Sequence, residues 1–175
     1  EGPRRENNRE ECGHWEIELV IGKKEKKDHV LLTLTERKTR MEIVRKIKGK
    51  TIEAVHRLLK KLRKDTPFFD RIFKSITTDN GSEFAQLWKL GKRFGIDVYY
   101  AHPYSSWERG MNENTNRIVR RFVRKGTAIR DYTRTQIAEV EQWINTMYRK
   151  VLGWRTAEEC FREEVERLLI GEGIC

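Results

Sequence analysis

Apolar and polar residues alternate along HWEIELVIG (14–22): Trp15, Ile17 and Leu19 interleave with Glu16, Glu18 and Val20. A period of two predicts a β-strand, and it puts Glu16 and Glu18 side by side on one face. HVLLTLTE (29–36) and RMEIVRKI (40–47) read as two further strands across short polar connections, so the chain opens with an antiparallel meander. The period then changes. In KTIEAVHRLLKKLRK (50–64), Ile52, Val55, Leu58, Leu59 and Leu62 recur at helical spacing opposite a basic face, and Pro67 ends the segment. FKSITT (73–78) predicts a fourth strand running into Asp79-Asn80-Gly81. EFAQLWKLGKRF (83–94) predicts a helix started by Ser82 and closed by Gly95, and DVYYA (97–101) a fifth strand. After a loop, HPYSSWERG (102–110), a long basic helix is expected from Met111 to about Lys125. Another follows over 133–150, with Ile137, Val140, Trp143, Ile144 and Met147 as its stripe, and a short last one starts at a Thr156 cap. The order βββ-α-β-α-β-α-α defines an α/β fold with a mixed five-stranded sheet flanked by helices.

Length and composition fit that layout. The 175 residues suit one domain, divided into a polar segment (1–12), a core (13–165) and a C-terminal tail (166–175). The polar, abrupt start fits a piece cut from a longer protein. Thirty-seven Lys and Arg against 27 Asp and Glu give a net charge of +10, which points to a polyanionic partner, nucleic acid before a membrane surface. No apolar run approaches the ~20 residues of a membrane span. Cys12, Cys160 and Cys175 are odd in number and show no Cys-x-x-Cys spacing, so a thiolate zinc site is not expected and a reducing intracellular compartment fits best.

The acids are the candidate chemistry. Glu16 and Glu18 suit a solvated strand face or a metal-binding carboxylate. Asp79 sits at a strand end, where ligands collect, yet Asp-Asn-Gly is also good turn chemistry by itself. Glu113 heads the basic helix, where an acid also complements the helix dipole. Between 114 and 130 stand six Lys or Arg and no acid, and Arg117, Arg120 and Arg124 follow Glu113 by four, seven and eleven residues. That spacing shares a helix face. One acid heading a row of arginines suits a metal-dependent phosphodiester site, the acid for metal and the arginines for flanking phosphates; a solvated basic face is the other reading.

HWEIELVIG, TTDNGSEF, YAHPYSSWERGMNENTNR and LGWRTAEECF together resemble the catalytic core of bacterial insertion-sequence transposases of the IS-thirty type, within the DDE transposase and retroviral integrase group. The resemblance runs from about Gly13 to about Phe161, and thirty-three residues lie between Asp79 and Glu113, as is typical of the group. It implies a ribonuclease H-like fold and a DDE-type polynucleotidyl transferase that cleaves DNA at transposon ends and transfers the strand to a target. Two Mg²⁺ ions, with Mn²⁺ as a substitute, would be held by Glu18, Asp79 and Glu113. Asn80, Arg117, Arg120 and Arg124 would contact DNA. The resemblance further implies a homodimer on DNA, a bacterial cytoplasm with association to the nucleoid, and a separate DNA-reading domain N-terminal to the core. Glu18 stands where the family usually has Asp, as in GHWEGDL. The alternative this raises is a transposase-derived DNA-binding domain with impaired catalysis.

Overall fold

The computed structural model describes residues 10–25, 27–101 and 110–171, with backbone only at 110–114. Five strands form one sheet in the order β3-β2-β1-β4-β5. They are β1 (His14–Ile21), β2 (Val30–Glu36), β3 (Glu42–Ile47), β4 (Ser75–Thr78) and β5 (Asp97–Tyr100). The first three pair antiparallel, whereas β4 joins β1 and β5 joins β4 in parallel. The expected mixed sheet is therefore present, and α1 (Ile52–Asp65) and α3 (Leu87–Phe94) supply the crossovers between its parallel strands.

Each face of the sheet buries a separate apolar layer. Trp15 and Ile17 of β1 join Val55, Leu59 and Leu62 of α1 and Leu87, Leu90 and Phe94 of α3. Thr51 caps α1 by accepting from the Ala54 N–H at 3.2 Å, and Gly95 closes α3 with a left-handed φ of 71°. Trp15 anchors this layer: it stacks on Phe73 at 4.5 Å and its Nε1 donates to the Ile72 carbonyl at 2.9 Å. On the other face, Val20, Leu31 and Val44 pack against α4 (Gly110–Phe122) and α5 (Arg134–Thr146) through Ile118, Val119, Ile137, Val140 and Ile144.

Helix α5 also covers the open edge at β3. Asn145 accepts from the Glu42 N–H at 2.9 Å and donates to the Glu42 carbonyl at 2.8 Å, as a neighbouring strand would. Glu141 takes the Val44 N–H and pairs with Arg45. An edge satisfied by side chains cannot recruit another strand.

Several boundaries differ from the sequence reading. A one-turn helix, α2 (Phe69–Ile72), precedes β4, entered through Phe68 at φ 56°. The helix expected over 83–94 divides into a 3₁₀ turn (Ser82–Phe84) and α3, because Glu83 and Phe84 turn inward, Glu83 pairing with Lys50 at 3.3 Å. Helix α4 stops at Phe122, before Arg124, and α5 stops at Thr146. The last helix, α6 (Ala157–Ile170), is longer than expected and crosses the proposed core–tail boundary at 165. Thr156 does cap it, in a reciprocal pair with Glu159. Its Phe161 meets the edge of Trp15 at 5.7 Å, which returns the chain end to β1. The loop carrying His102, Tyr104, Ser105, Ser106 and Trp107 lies outside the described residues.

Candidate active site

The sheet face beneath α4 and α5 changes from apolar to polar along β1. Val20 belongs to the apolar layer; Glu18 and Glu16, two and four residues earlier, point to the same side. Pairing extends this polarity into rows across the sheet. Glu16 lies opposite Thr35 of β2, and Thr35 opposite Glu42 of β3. On the other side Glu16 is level with Thr77 of β4. The pairing ends there, and Asp79 and Glu18 each lie two residues further along, Asp79 just past the end of β4.

The two acids of β1 have different surroundings. Glu16 is buried against Arg37, whose Nε donates to Oε1 at 2.9 Å. Burial raises the Glu16 carboxyl above its ordinary range, and Arg37 works against that rise. Its charge is answered inside the protein. Glu18 is only partly buried and meets α4, where the Asn116 amide donates to its Oε2.

Asp79 follows the last residue of β4. Its Oδ1 accepts the Gly81 N–H at 2.9 Å, closing a tight turn. A Cβ at Gly81 would stand 2.9 Å from that oxygen and 2.8 Å from the Glu83 carboxyl, so a larger residue there would push these two carboxylates aside. Asn80 donates to the Ala101 carbonyl at 3.0 Å and ties the ends of β4 and β5 together. The turn reading and the strand-end reading of Asp-Asn-Gly thus coexist.

Position 113 lies in the first turn of α4, three residues before Asn116. Residues three apart share a helix face, so position 113 is on the face that meets β1 at Glu18. The Glu113 side chain is outside the described residues. Among those described, no group of three or more His, Cys, Asp or Glu could hold a metal ion. The pair that is described, Glu18 and Asp79, offers oxygen ligands only, which suits Mg²⁺ or Mn²⁺ and not a thiolate-seeking ion.

The arginines separate. Arg120 turns to the sheet and donates to the Ile21 carbonyl at 2.7 Å, and desolvation lowers its pKa. Arg117 is exposed on α4, and Arg124 is exposed beyond the helix end. The expected single row is therefore broken by one anchored member and by the early end of the helix.

Thr115, Asn116, Glu42 and Arg37 escaped the sequence reading. Asn116 had a visible signal, since it follows Glu113 at the same helical spacing used for the arginines. Glu42 had a weaker one, an acid on the same strand face as the apolar Val44.

The sheet order, with helices on both faces, defines a ribonuclease H-like fold. The chain matches the catalytic core domain of BIV integrase at a TM-score of 0.67, over 89% of this chain and 97% of that one, with 18% identity. In sequence the chain is homologous to insertion-sequence transposases of the IS30 type. It is 38% identical over 161 residues to a probable transposase for the insertion-like element IS1161 of Streptococcus salivarius, covering 92% of this chain and 45% of that protein. It is 35% identical to the transposase for IS4351 of Bacteroides fragilis (91% of this chain, 47% of that protein). Identity is again 35% to transposase InsI for IS30C of Escherichia coli K12 (91% and 40%). The chain spans less than half the length of these relatives. No protein-family model matches it.

Proposed function

We propose that the chain is the catalytic core of a DNA transposase, a polynucleotidyl transferase that cuts DNA at transposon ends and joins the freed strand to a target. The observation that carries this reading is the meeting of β1, β4 and α4. Glu18 lies on β1, two residues past its last partner on β4, and Asp79 directly follows β4; α4 grips Glu18 through Asn116 on the face that carries position 113. The transposase relatives and the integrase-like fold support it.

Glu18, Asp79 and Glu113 are the residues that would hold the divalent ions. Bound Mg²⁺ or Mn²⁺ supplies Lewis acidity at the scissile phosphate and at the attacking water. The protein's own part is placement. Asn116 orients the Glu18 carboxylate, Gly81 and Asn80 fix the turn beneath Asp79, and Arg117 and Arg124 receive the phosphates on either side. A DNA 3′-hydroxyl in the place of water gives strand transfer at the same site. Two ends handled together call for two copies on DNA, and such a protein would work at the nucleoid in the cytoplasm. Among the described residues, no helix is long and apolar enough to cross a membrane.

The test is Mg²⁺-dependent cleavage of a duplex carrying the end of the encoding element, with full-length protein. Asp79→Asn and Glu113→Gln are expected to abolish cleavage and retain DNA binding. Cleavage that persists in Asp79→Asn refutes the assignment. A wild type that binds DNA but never cuts it favours the DNA-binding alternative.

A further inference from the structure

We infer that Glu42 is a positioning residue for this site: together with Thr115 it fixes how α4 is rotated on the sheet, and so where position 113 stands relative to Glu18. The inference rests on the active-site reading above.

Glu42 is an acid with no exposed surface, on the edge strand β3. Thr115 Oγ1 donates to its Oε1 at 2.6 Å, and both side chains are buried. Its main chain is held on both polar atoms by Asn145. Thr35, across the ladder, also hydrogen-bonds the carboxyl, and Arg149 and Glu16 act on it through space. Glu42 is therefore fixed from β2, α4 and α5 at once.

Its effect on the site follows from what α4 does next. Thr115 is attached to β3, and the following residue, Asn116, is attached to β1 at Glu18. One turn later Arg120 reaches the Ile21 carbonyl, also on β1. These strands lie on either side of β2. A helix tied to two separate strands by consecutive residues cannot roll over the one between them. Without the Thr115 tie, the hydrogen bonds of Asn116 and Arg120 lie along β1, and the apolar packing of Ile118 and Val119, which is not directional, is left to resist rotation about that line. A roll of about 20° moves a group some ~5 Å from the helix axis by about 2 Å. A displacement of even ~1 Å at reacting groups can cost on the order of 100-fold in rate.

Stability alone gives no reason for an acid here. Replacing a whole buried polar pair by apolar residues of similar volume is often neutral or stabilising, whereas removing one partner leaves the other unsatisfied. A leucine at 42 with a valine at 115 would fill the same space without the tie. Positioning and mere packing thus predict opposite relations between stability and rate.

The experiment compares Glu42→Leu, Thr115→Val, Thr115→Ser, Glu42→Gln and Asp79→Asn in the full-length protein. It reads kcat for Mg²⁺-dependent cleavage, DNA affinity without metal, Tm, and the rise in Tm produced by Mg²⁺ alone. Glu42→Leu and Thr115→Val are expected to lose about tenfold to 100-fold in kcat. Their DNA affinity should stay within about twofold and the Mg²⁺-induced rise in Tm should shrink, while Tm itself falls by several degrees for the hydroxyl or carboxyl left unsatisfied. Thr115→Ser and Glu42→Gln keep a hydroxyl and an acceptor and should retain kcat within about threefold. Wild-type kcat and a full Mg²⁺ response in Thr115→Val overturn the inference, as does a kcat lost only in proportion to folded protein. Should Glu42→Leu fail to fold, the two threonine variants decide. An inactive Asp79→Asn beside an unimpaired Thr115→Val sinks the positioning role alone. An Asp79→Asn that cleaves like wild type sinks the active-site reading and this inference with it.

Discussion

Glu42→Gln should stabilise the protein increasingly as pH rises from about 4.5 to 8. Burial is the largest influence on Glu42 and pushes its carboxyl from an ordinary 4.5 up to about 8, against hydrogen bonds from Thr115 and Thr35 and the attraction of Arg149. In the unfolded chain the same group titrates near its ordinary value. Between the two values the unfolded chain has released a proton that the folded protein still holds. The folded state then binds more protons, so stability is fully present below about 4.5 and is lost as pH rises towards 8. At about 1.4 kcal/mol per pH unit, the full gap sets an upper limit of roughly 5 kcal/mol. Glutamine has no proton to lose over this range and still accepts from Thr115 Oγ1. Glu16, whose carboxyl is also raised by burial, and His29 and His56, whose pKa values burial lowers, contribute in both proteins and largely cancel in the difference. Urea denaturation of wild type and variant at pH 4.5, 6 and 8 measures that difference. A gap growing by several kcal/mol across the series is expected. A gap that stays constant with pH would refute the claim that Glu42 is buried as the neutral acid.

Glu18→Asp withdraws the carboxylate by about one bond, ~1.5 Å, from the Asn116 amide it now meets. Mg²⁺-dependent cleavage should fall, and a faster Glu18→Asp protein would show that the site is better built for the shorter acid. Arg117→Ala and Arg124→Ala should each lower the salt slope of DNA binding by about one unit. Arg120→Ala should instead cost stability, because its guanidinium is bonded to the Ile21 carbonyl; an equal fall in slope for all three would restore the single phosphate-binding row. Trp15→Ala should lose about 3–5 kcal/mol in denaturant unfolding, since Trp15 has no exposed surface and holds Phe73 and Phe161 together. A loss under about 1 kcal/mol would remove it as the anchor of that layer.

Most of the architecture was legible because it is written in short periods. Alternation marked β1, the 3.6-residue stripe marked α1, and Gly95 and Thr156 marked a helix end and a helix start as local chemistry requires. The break after Phe84 was not legible, since residues 83–94 keep a helical pattern while Glu83 and Phe84 are drawn inward by partners elsewhere. The expected extent of α4 failed for a related reason. The segment past Phe122 has the composition of a helix, yet Val123 joins the apolar layer and Gly126 donates its N–H to the Gly22 carbonyl at the end of β1. The acids show the same division. That Glu16 and Glu18 share a face followed from parity. That Arg37 would neutralise one and Asn116 hold the other did not, because those partners are 21 and 98 residues away. Thr115 and Glu42 are separated by 73 residues and meet only once the sheet and α4 are assembled.

On the proposed function, Glu18, Asp79 and Glu113 act together in metal-dependent DNA cleavage. The most direct test is single-turnover cleavage of a duplex carrying the end of the encoding element by full-length protein, with Mg²⁺, with Mn²⁺ and with EDTA, for wild type and Asp79→Asn. Wild type is expected to cleave with either ion and not in EDTA, and Asp79→Asn under no condition although it binds the duplex as tightly. Cleavage in EDTA, or by Asp79→Asn at the wild-type rate, would contradict that function.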